Sequence, residues 1–372
     1  MGRTNHLLPV YTGDVSGACS ALYELGGMVV IHDPSGCNST YNTHDETRWY
    51  DQDSLIFITG LTERDAVLGN DEKLVRDVVD AALELRPRFV ALCNSPIPWI
   101  SGTDFAALCR LIERQTGIPC LYVRTNGMHD YVVGAGNALA EIARRFVVST
   151  NGVCAGSANL LGVTPLDFHQ ADAVQRLRDF VEGAGFSVSS CWAMGSSLDE
   201  LTRAGEASVN VVVSAAGLAA AKVLRERFGT PYVVGTPFVG YADLSGFLPE
   251  LERSMREAVA SGACLYPCRD ARSRCDDGSC CVIADPVAAG SLAAAREAAG
   301  LGSTRVTCAT EAARELLAES DVTVDGEEQV RAALAQATTV FADPSFKPAL
   351  AKDAELVPLP HLAFSGRAAL SE

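Results

Sequence analysis

Basic residues are scarce: 30 Lys and Arg face 46 Asp and Glu over 372 residues, giving a formal net charge of −16. A phosphate backbone would be repelled by such a chain, so no nucleic-acid partner is expected. The acidic residues are spread along the chain, as on a solvated surface, with no acidic tail. No stretch approaches the ~20 apolar residues that a membrane-spanning helix needs. The polar start, Met1-Gly2-Arg3-Thr4-Asn5-His6, leads into no apolar segment of a secretory leader. The expectation is a cytoplasmic protein with no membrane partner. Phosphate loops and dinucleotide fingerprints are also missing. Gly134-Ala135-Gly136 is followed by Leu139 where a fingerprint needs its third glycine, and no strand precedes it. Close helix packing explains those glycines, and the chain is expected to bind neither ATP nor NAD. Low-complexity linkers and short internal repeats are absent.

What the chain does have is cysteine, 13 in all. In a cytoplasmic protein these are mostly reduced or metal-bound rather than paired. Val29-Val30-Ile31-His32-Asp33-Pro34-Ser35-Gly36-Cys37 reads as a buried strand broken by Pro34 and Gly36, leaving a thiol at its C-terminal edge. Ligands of α/β sheets gather at that edge. Cys19 follows Ser16-Gly17-Ala18, and Cys93 ends Arg88-Phe89-Val90-Ala91-Leu92 ahead of Asn94-Ser95-Pro96. Any one of these thiols alone reads as a small buried hydrophobe. Three on three separate strand-edge loops, each beside Gly or Pro, suit an iron–sulfur cluster, which needs thiolates converging from different loops.

Strand-like and helix-like segments alternate throughout, the signature of parallel sheets. The apolar run Leu55–Ile58, a helix over Leu74–Leu85 stopped by Pro87, the strand to Cys93 and a helix from about Thr103 to Gln115 form a first block. A second begins near Asn159-Leu160-Leu161-Gly162 and closes with Tyr232-Val233-Val234; a third carries strands near Cys281–Ala284, Arg305–Cys308 and Thr339–Phe341. At 372 residues more than one core is required. The expected architecture is α/β: three stacked, doubly wound Rossmann-like domains over 1–155, 156–242 and 243–372.

Several segments resemble the component 1 family of nitrogenase-type oxidoreductases, over nearly the whole chain. His32-Asp33-Pro34-Ser35-Gly36-Cys37 is similar to the family's His-Gly-Pro-x-Gly-Cys turn, and Cys19 to its earlier cluster cysteine. Leu61–Gly69, Asn159-Leu160-Leu161-Gly162 and Glu226-Arg227-Phe228-Gly229-Thr230-Pro231-Tyr232 resemble three further family segments, in order. The resemblance implies three Rossmann-like domains and a cysteine-ligated iron–sulfur cluster at a dimer interface. It also implies an ATP-binding iron–sulfur reductase as electron donor. Cys19, Cys37 and Cys93 would be the cluster ligands, although Gly102-Thr103-Asp104 would place the family's third cysteine at Pro96, three residues beyond Cys93. Nitrogenase holds its molybdenum–iron cofactor through a cysteine whose matching position here is Ser214, a poor ligand for a soft metal. Dinitrogen reduction is therefore not expected. The shorter relatives reduce tetrapyrroles or related substrates through a plain [4Fe–4S] cluster, which implies an oxygen-sensitive homodimer, or a heterodimer with a paralogous subunit.

Other residues add chemistry. The loop Asn42–Tyr50 packs His44, Asp45, Glu46 and Arg48 with two aromatics; His44 with Asp45 or Glu46 can relay protons and Arg48 can hold an anion, or the loop is a polar lid or docking edge. His32 can hydrogen-bond a cluster sulfur or be an ordinary buried histidine. Cys264, Cys268, Cys275, Cys280 and Cys281 crowd into one segment whose spacing matches no standard zinc or ferredoxin pattern. They form a metal site or a redox-sensitive loop. Pro360-His361-Leu362-Ala363-Phe364-Ser365-Gly366 looks like a family closing segment lining an interdomain cleft. The function expected is an oxidoreductase subunit passing electrons to an organic, tetrapyrrole-like substrate. The alternatives are a scaffold for metallocluster assembly and a plain metal- or ligand-binding protein.

Overall fold

β-branched runs bounded by turn residues become parallel strands buried on both faces. The computed structural model describes residues 6–34, 46–148, 152–275 and 278–366, so Cys37, His44 and Asp45 lie outside the described residues. The strands are β1 (Met28–His32), β2 (Leu55–Ile58), β3 (Val90–Asn94), β4 (Cys120–Val123), β5 (Cys154–Leu161), β6 (Ser187–Cys191), β7 (Ala207–Val212), β8 (Tyr232–Val234), β9 (Phe238–Val239), β10 (Ala242–Asp243), β11 (Cys280–Val282), β12 (Arg305–Cys308), β13 (Val322–Thr323), β14 (Thr339–Ala342) and β15 (Glu355–Pro358). They make three parallel sheets, ordered β2-β1-β3-β4, β6-β5-β7-β8 and β13-β12-β11-β14-β15, with β9 and β10 as a small antiparallel ribbon. This is the expected Rossmann-like α/β architecture.

Alternation along β1 and β3 sends side chains to opposite faces. Met28, Val30, Val90 and Leu92 pack under the helices Asp71–Leu85 and Phe105–Thr116. Val29, Ile31, Ala91 and Cys93 join the large core shared with the helices Asp14–Leu22 and Tyr131–Arg145. The helix Asp71–Leu85 starts where the Asn70 side chain accepts from Lys73 N–H and ends at Arg86, whose φ of 49° is left-handed. Pro87 disfavours helical backbone at the preceding residue, which is why the chain turns there.

One difference from the sequence reading matters. Cys19 sits on the helix Asp14–Leu22, not on a strand-edge loop, and Cys93 lies within β3, one residue before its end. The stretch 13–20 reads as loop because it is rich in glycine and serine. It is helical because Gly17 lets the helix press onto the backbone of Tyr131, while Gly134 lets the partner helix press onto the backbone of Asp14. A Cβ at either glycine would overlap main-chain atoms, which cannot move aside.

Gly134→Ala should therefore cost about 3 kcal/mol or more through overpacking. Gly183, in the helix Ala173–Gly183, has open space around its missing Cβ. Gly183→Ala should leave the thermal midpoint unchanged or slightly higher, and equal losses at the two sites would contradict this contact.

Candidate functional site

Each sheet has a point where strand order reverses: between β1 and β3, between β5 and β7, and between β11 and β14. Crevices at the carboxyl ends of such strands are where α/β folds bind ligands. At the first reversal, the Ser95 hydroxyl donates to the His32 carbonyl at 3.0 Å, pinning the end of β3 to the end of β1. Thr125 Oγ1 accepts from Asn94 N–H and donates to Asn94 O at 2.8 Å. The Asp14 carboxylate accepts from the N–H groups of Asn126 and Gly127 at 2.8 and 2.9 Å, anchoring its helix over the same edge.

Cys19 and Cys93 are fully buried here, in the same core. Burial pushes the Cys19 thiol well up, and the neighbouring Cys93 and Glu46 push it further. Burial also raises Cys93. Two neighbouring buried thiols beside the paired strands β1 and β3 fit part of the soft donor set that an iron–sulfur cluster requires. His32 Nδ1 meets Thr59 Oγ1 at 2.8 Å, and burial lowers its pKa.

Arg48 is placed otherwise than an anion-holding residue would be. Its Nε and Nη2 donate to Glu46 at 2.7 and 2.9 Å, Nη1 to Glu24 at 2.9 Å and the Ala193 carbonyl at 3.2 Å, and Nη2 to the Ser20 carbonyl at 2.9 Å. Every guanidinium N–H thus has a protein partner. Glu46 is fully buried and also accepts from Ser20 Oγ at 2.8 Å. Burial pulls its carboxyl up, but the Arg48 hydrogen bonds and charge outweigh that and hold it below the ordinary value. The pair latches the short turn Thr47–Tyr50 to the first helix and to the second sheet's loop.

The second and third reversals face one another across a cleft. It is lined by Asp167 and His169 after β5, Ser214 after β7, Phe238 of β9, Asp285 after β11 and His361 after β15, around a cavity of about 30 Å3. That volume holds one or two waters. Ser214 Oγ donates to the Gly162 carbonyl at 2.6 Å. Asp167 accepts from Tyr131 Oη at 2.6 Å and Thr164 Oγ1 at 2.7 Å, and faces His361 Nε2 at 3.3 Å. Asp285 caps the helix Pro286–Ala298, accepting from Val287 and Ala288 N–H, and also accepts from Ala215 N–H at 2.9 Å. Burial first, and Asp167 second, push the Asp285 carboxyl well above its ordinary value. Burial lowers His169 to about 4. His169 Nδ1 and His361 Nδ1 are buried without a hydrogen-bond partner among the described residues. Buried polar atoms ordinarily carry a hydrogen-bond partner, so these two nitrogens mark the cleft as a candidate ligand site.

His361 was legible in the sequence as a cleft residue; Asp167, His169 and Asp285 were not. The signal for Asp285 was an Asp-Pro pair directly after an apolar strand, a helix start at a strand edge.

The cysteine-rich segment is divided. Cys268 is buried in the short helix Pro267–Asp270, its thiol pushed up to about 12, while Cys264 is half-buried. Cys280 and Cys281 are neighbours on β11 and so point to opposite faces. Arg305 Nη2 donates to Cys281 Sγ at 3.7 Å and Thr304 Oγ1 to Cys280 Sγ at 3.6 Å. Among the described residues, no three His, Cys, Asp or Glu side chains are arranged to hold a metal ion. No described helix is long and apolar enough to cross a membrane. Two short touching helices beside the first reversal, Glu63–Leu68 and Pro96–Ser101, expose Val67, Leu68, Ile97, Trp99 and Ile100. Clustered exposed apolar side chains mark an interaction surface.

The sequence pattern of the family described as "Nitrogenase component 1 type Oxidoreductase" matches residues 14–347. The chain belongs to this family. It is similar to a light-independent protochlorophyllide reductase subunit of Synechococcus sp. (strain JA-3-3Ab), 24% identical over 241 residues, covering 61% of this chain and 47% of that protein. It is also similar to "Nitrogenase iron-molybdenum cofactor biosynthesis protein NifE" of Clostridium pasteurianum, 26% identical over 260 residues, covering 64% and 54%. The aligned regions thus span about half the length of these component 1 relatives. Among solved structures, "Nitrogenase Cp1 at pH 6.5" superimposes with a TM-score of 0.67 at 15% identity, over 97% of this chain and 87% of that one. At that identity the likeness speaks for the fold.

Two outcomes test the site's electrostatics. Glu46→Gln removes the fully buried one of the two carboxylates that Arg48 pairs with, Glu24 remaining, and should cost about 2 kcal/mol, seen as a lower denaturant midpoint. His169 has an ordinary value of 6.5 and a folded value of about 4, so the unfolded chain takes up the proton first. Stability should be complete above pH 6.5 and fall progressively toward pH 4, and His169→Gln should flatten that slope.

Proposed function

We propose that this component 1 family member is an electron-transferring oxidoreductase subunit. In this reading Cys19, Cys37 and Cys93 hold an iron–sulfur cluster, of the [4Fe–4S] type, and an organic substrate is reduced in the cleft between the second and third sheets. The observation that carries the reading is the pair of fully buried thiols, Cys19 and Cys93, at the first strand-order reversal. A bound cluster would supply single electrons at low potential. The chain's own residues do the rest. The Asp14 and Ser95 hydrogen bonds fix the backbone on either side of the thiols. The apolar core keeps water from them. The Arg48–Glu46 latch holds the turn Thr47–Tyr50 against the helix that carries Cys19.

The electron donor in this reading is an ATP-dependent iron–sulfur reductase. A second copy of the chain, or a paralogous subunit, covers Val67, Leu68, Ile97, Trp99 and Ile100 beside the cluster. The protochlorophyllide reductase relatives favour a tetrapyrrole-like substrate. A cleft of about 30 Å3 must open to admit one. The similarity to NifE favours a second reading, a scaffold that carries a cluster without turnover.

Protein purified without oxygen should contain iron and sulfide and give an EPR signal on reduction. Cys19→Ala, Cys37→Ala and Cys93→Ala should each lose most of the iron, whereas Ser214→Ala should keep it. Full iron retention in the three cysteine variants would remove the ligand assignment. Substrate-dependent ATP use with a cognate reductase would separate the enzyme from the scaffold.

A further inference from the structure

A cavity of about 240 Å3 lies on the Asp71–Leu85 side of the first sheet, lined by neither the buried thiols nor the residues of the acidic cleft. It exists because β2 is an edge strand, with β1 as its one neighbour in the sheet. The helices Asp71–Leu85 and Phe105–Thr116 cover the side chains of β1 and β3 on this face. Phe57 of β2 shares the face, in register with Val30, yet remains 40% exposed. Met28, Val30, Phe57, Leu74, Val78 and Ala81 make the walls. At about 30 Å3 per water the space equals about eight waters, or about one bicyclic ring.

Toward the C-terminal ends of the strands the lining turns polar. His32 is more than nine-tenths buried; its Nδ1 is taken by Thr59 Oγ1, and its Nε2 has no hydrogen-bond partner among the described residues. Lys73 Nζ donates to Asp77 at 2.7 Å, so these two lining groups offset one another. Arg76, outside the cavity, also donates to Asp77 at 3.2 Å, and Asp71 in the first turn of the same helix offsets that charge. That leaves Asp65. Its carboxylate accepts from the Thr62 hydroxyl at 2.7 Å and from the Asn70 amide at 2.8 Å, both neutral, and no lysine or arginine among the described residues is paired with it. An apolar bowl with a few convergent polar groups has the form of a small-molecule site. Here the polar end carries one uncompensated negative charge.

We propose that this cavity binds a small apolar amine, with a flat ring seated between Phe57 and the helix Asp71–Leu85 and an ammonium group at Asp65. Phe57 offers an exposed ring that a second aromatic ring covers. Burying the ligand's apolar surface against Met28, Leu74 and Val78 supplies affinity. The Asp65 carboxylate sets the sign of the polar end: it attracts an ammonium group and repels a carboxylate of the same shape. His32 is the polar contact for the ring edge. Neither the cluster nor the acidic cleft enters this site, so it stands apart from the electron-transfer reading.

Tryptamine and indole-3-propionate share one ring system and differ in the sign of the end group, so calorimetric titration of the whole chain with each tests the site. Tryptamine should bind saturably at one molecule per chain. Asp65→Asn should weaken it about threefold, the worth of an exposed ion pair. Indole-3-propionate should bind about tenfold more weakly than tryptamine, the same interaction entering once as attraction and once as repulsion. Ala81→Phe, at a half-buried position on the wall, should abolish tryptamine binding while leaving the thermal midpoint in place. No saturable tryptamine binding, or equal affinity for the two probes, overturns the proposal. Binding that persists in a folded Ala81→Phe chain overturns the placement. Asp65 is half-exposed, so its variant decides the matter even if Ala81→Phe does not fold: unchanged tryptamine affinity in Asp65→Asn also overturns the placement.

Discussion

The crossing of two helices through their glycines is the constraint on which both sites depend. Gly17 lies against the backbone of Tyr131 and Gly134 against the backbone of Asp14, so the helices Asp14–Leu22 and Tyr131–Arg145 meet at main-chain distance. The first helix thereby lowers Cys19 into the core beside Cys93. The second projects the Tyr131 hydroxyl onto Asp167, at the edge of the next sheet. A separation wider by one methyl group would slacken both arrangements together, because close-packed interiors do not absorb such a change locally.

Parallel topology explains why polar chemistry collects in two places. Both faces of each sheet are covered, so the strands are apolar and can present functional groups only where they end. The three reversals of strand order open three such ends. One is filled with thiols, small hydroxyls and main-chain hydrogen bonds. The other two face each other and bring acids and imidazoles together around a small cavity. Burial there makes Asp285 reluctant to ionise and His169 reluctant to protonate.

Much of the architecture was legible in the residues. The alternation of β-branched runs and amphipathic helices required parallel sheets, and Pro87 marked a helix end by its backbone preference. The segment Pro360–Gly366 was expected at a cleft from its resemblance to a family closing segment, and His361 lines one. The helical setting of Cys19 could not be foreseen, because glycine and serine speak for a loop unless a second backbone waits against them. Arg48 carried the right charge for holding an anion, yet Glu46, Glu24 and two carbonyls take all its N–H groups. No spacing rule links Asp167 to Asp285, which are more than a hundred positions apart.

The order of apolar runs and turn residues by itself determined the fold class, the number of sheets and the supply of thiols, because local backbone preference and hydrophobic period are properties of short segments. Which charged groups would be neutralised and which left without a basic partner was decided only by tertiary structure. The energy of a charge depends on the partners and the water around it, and folding alone brings those together.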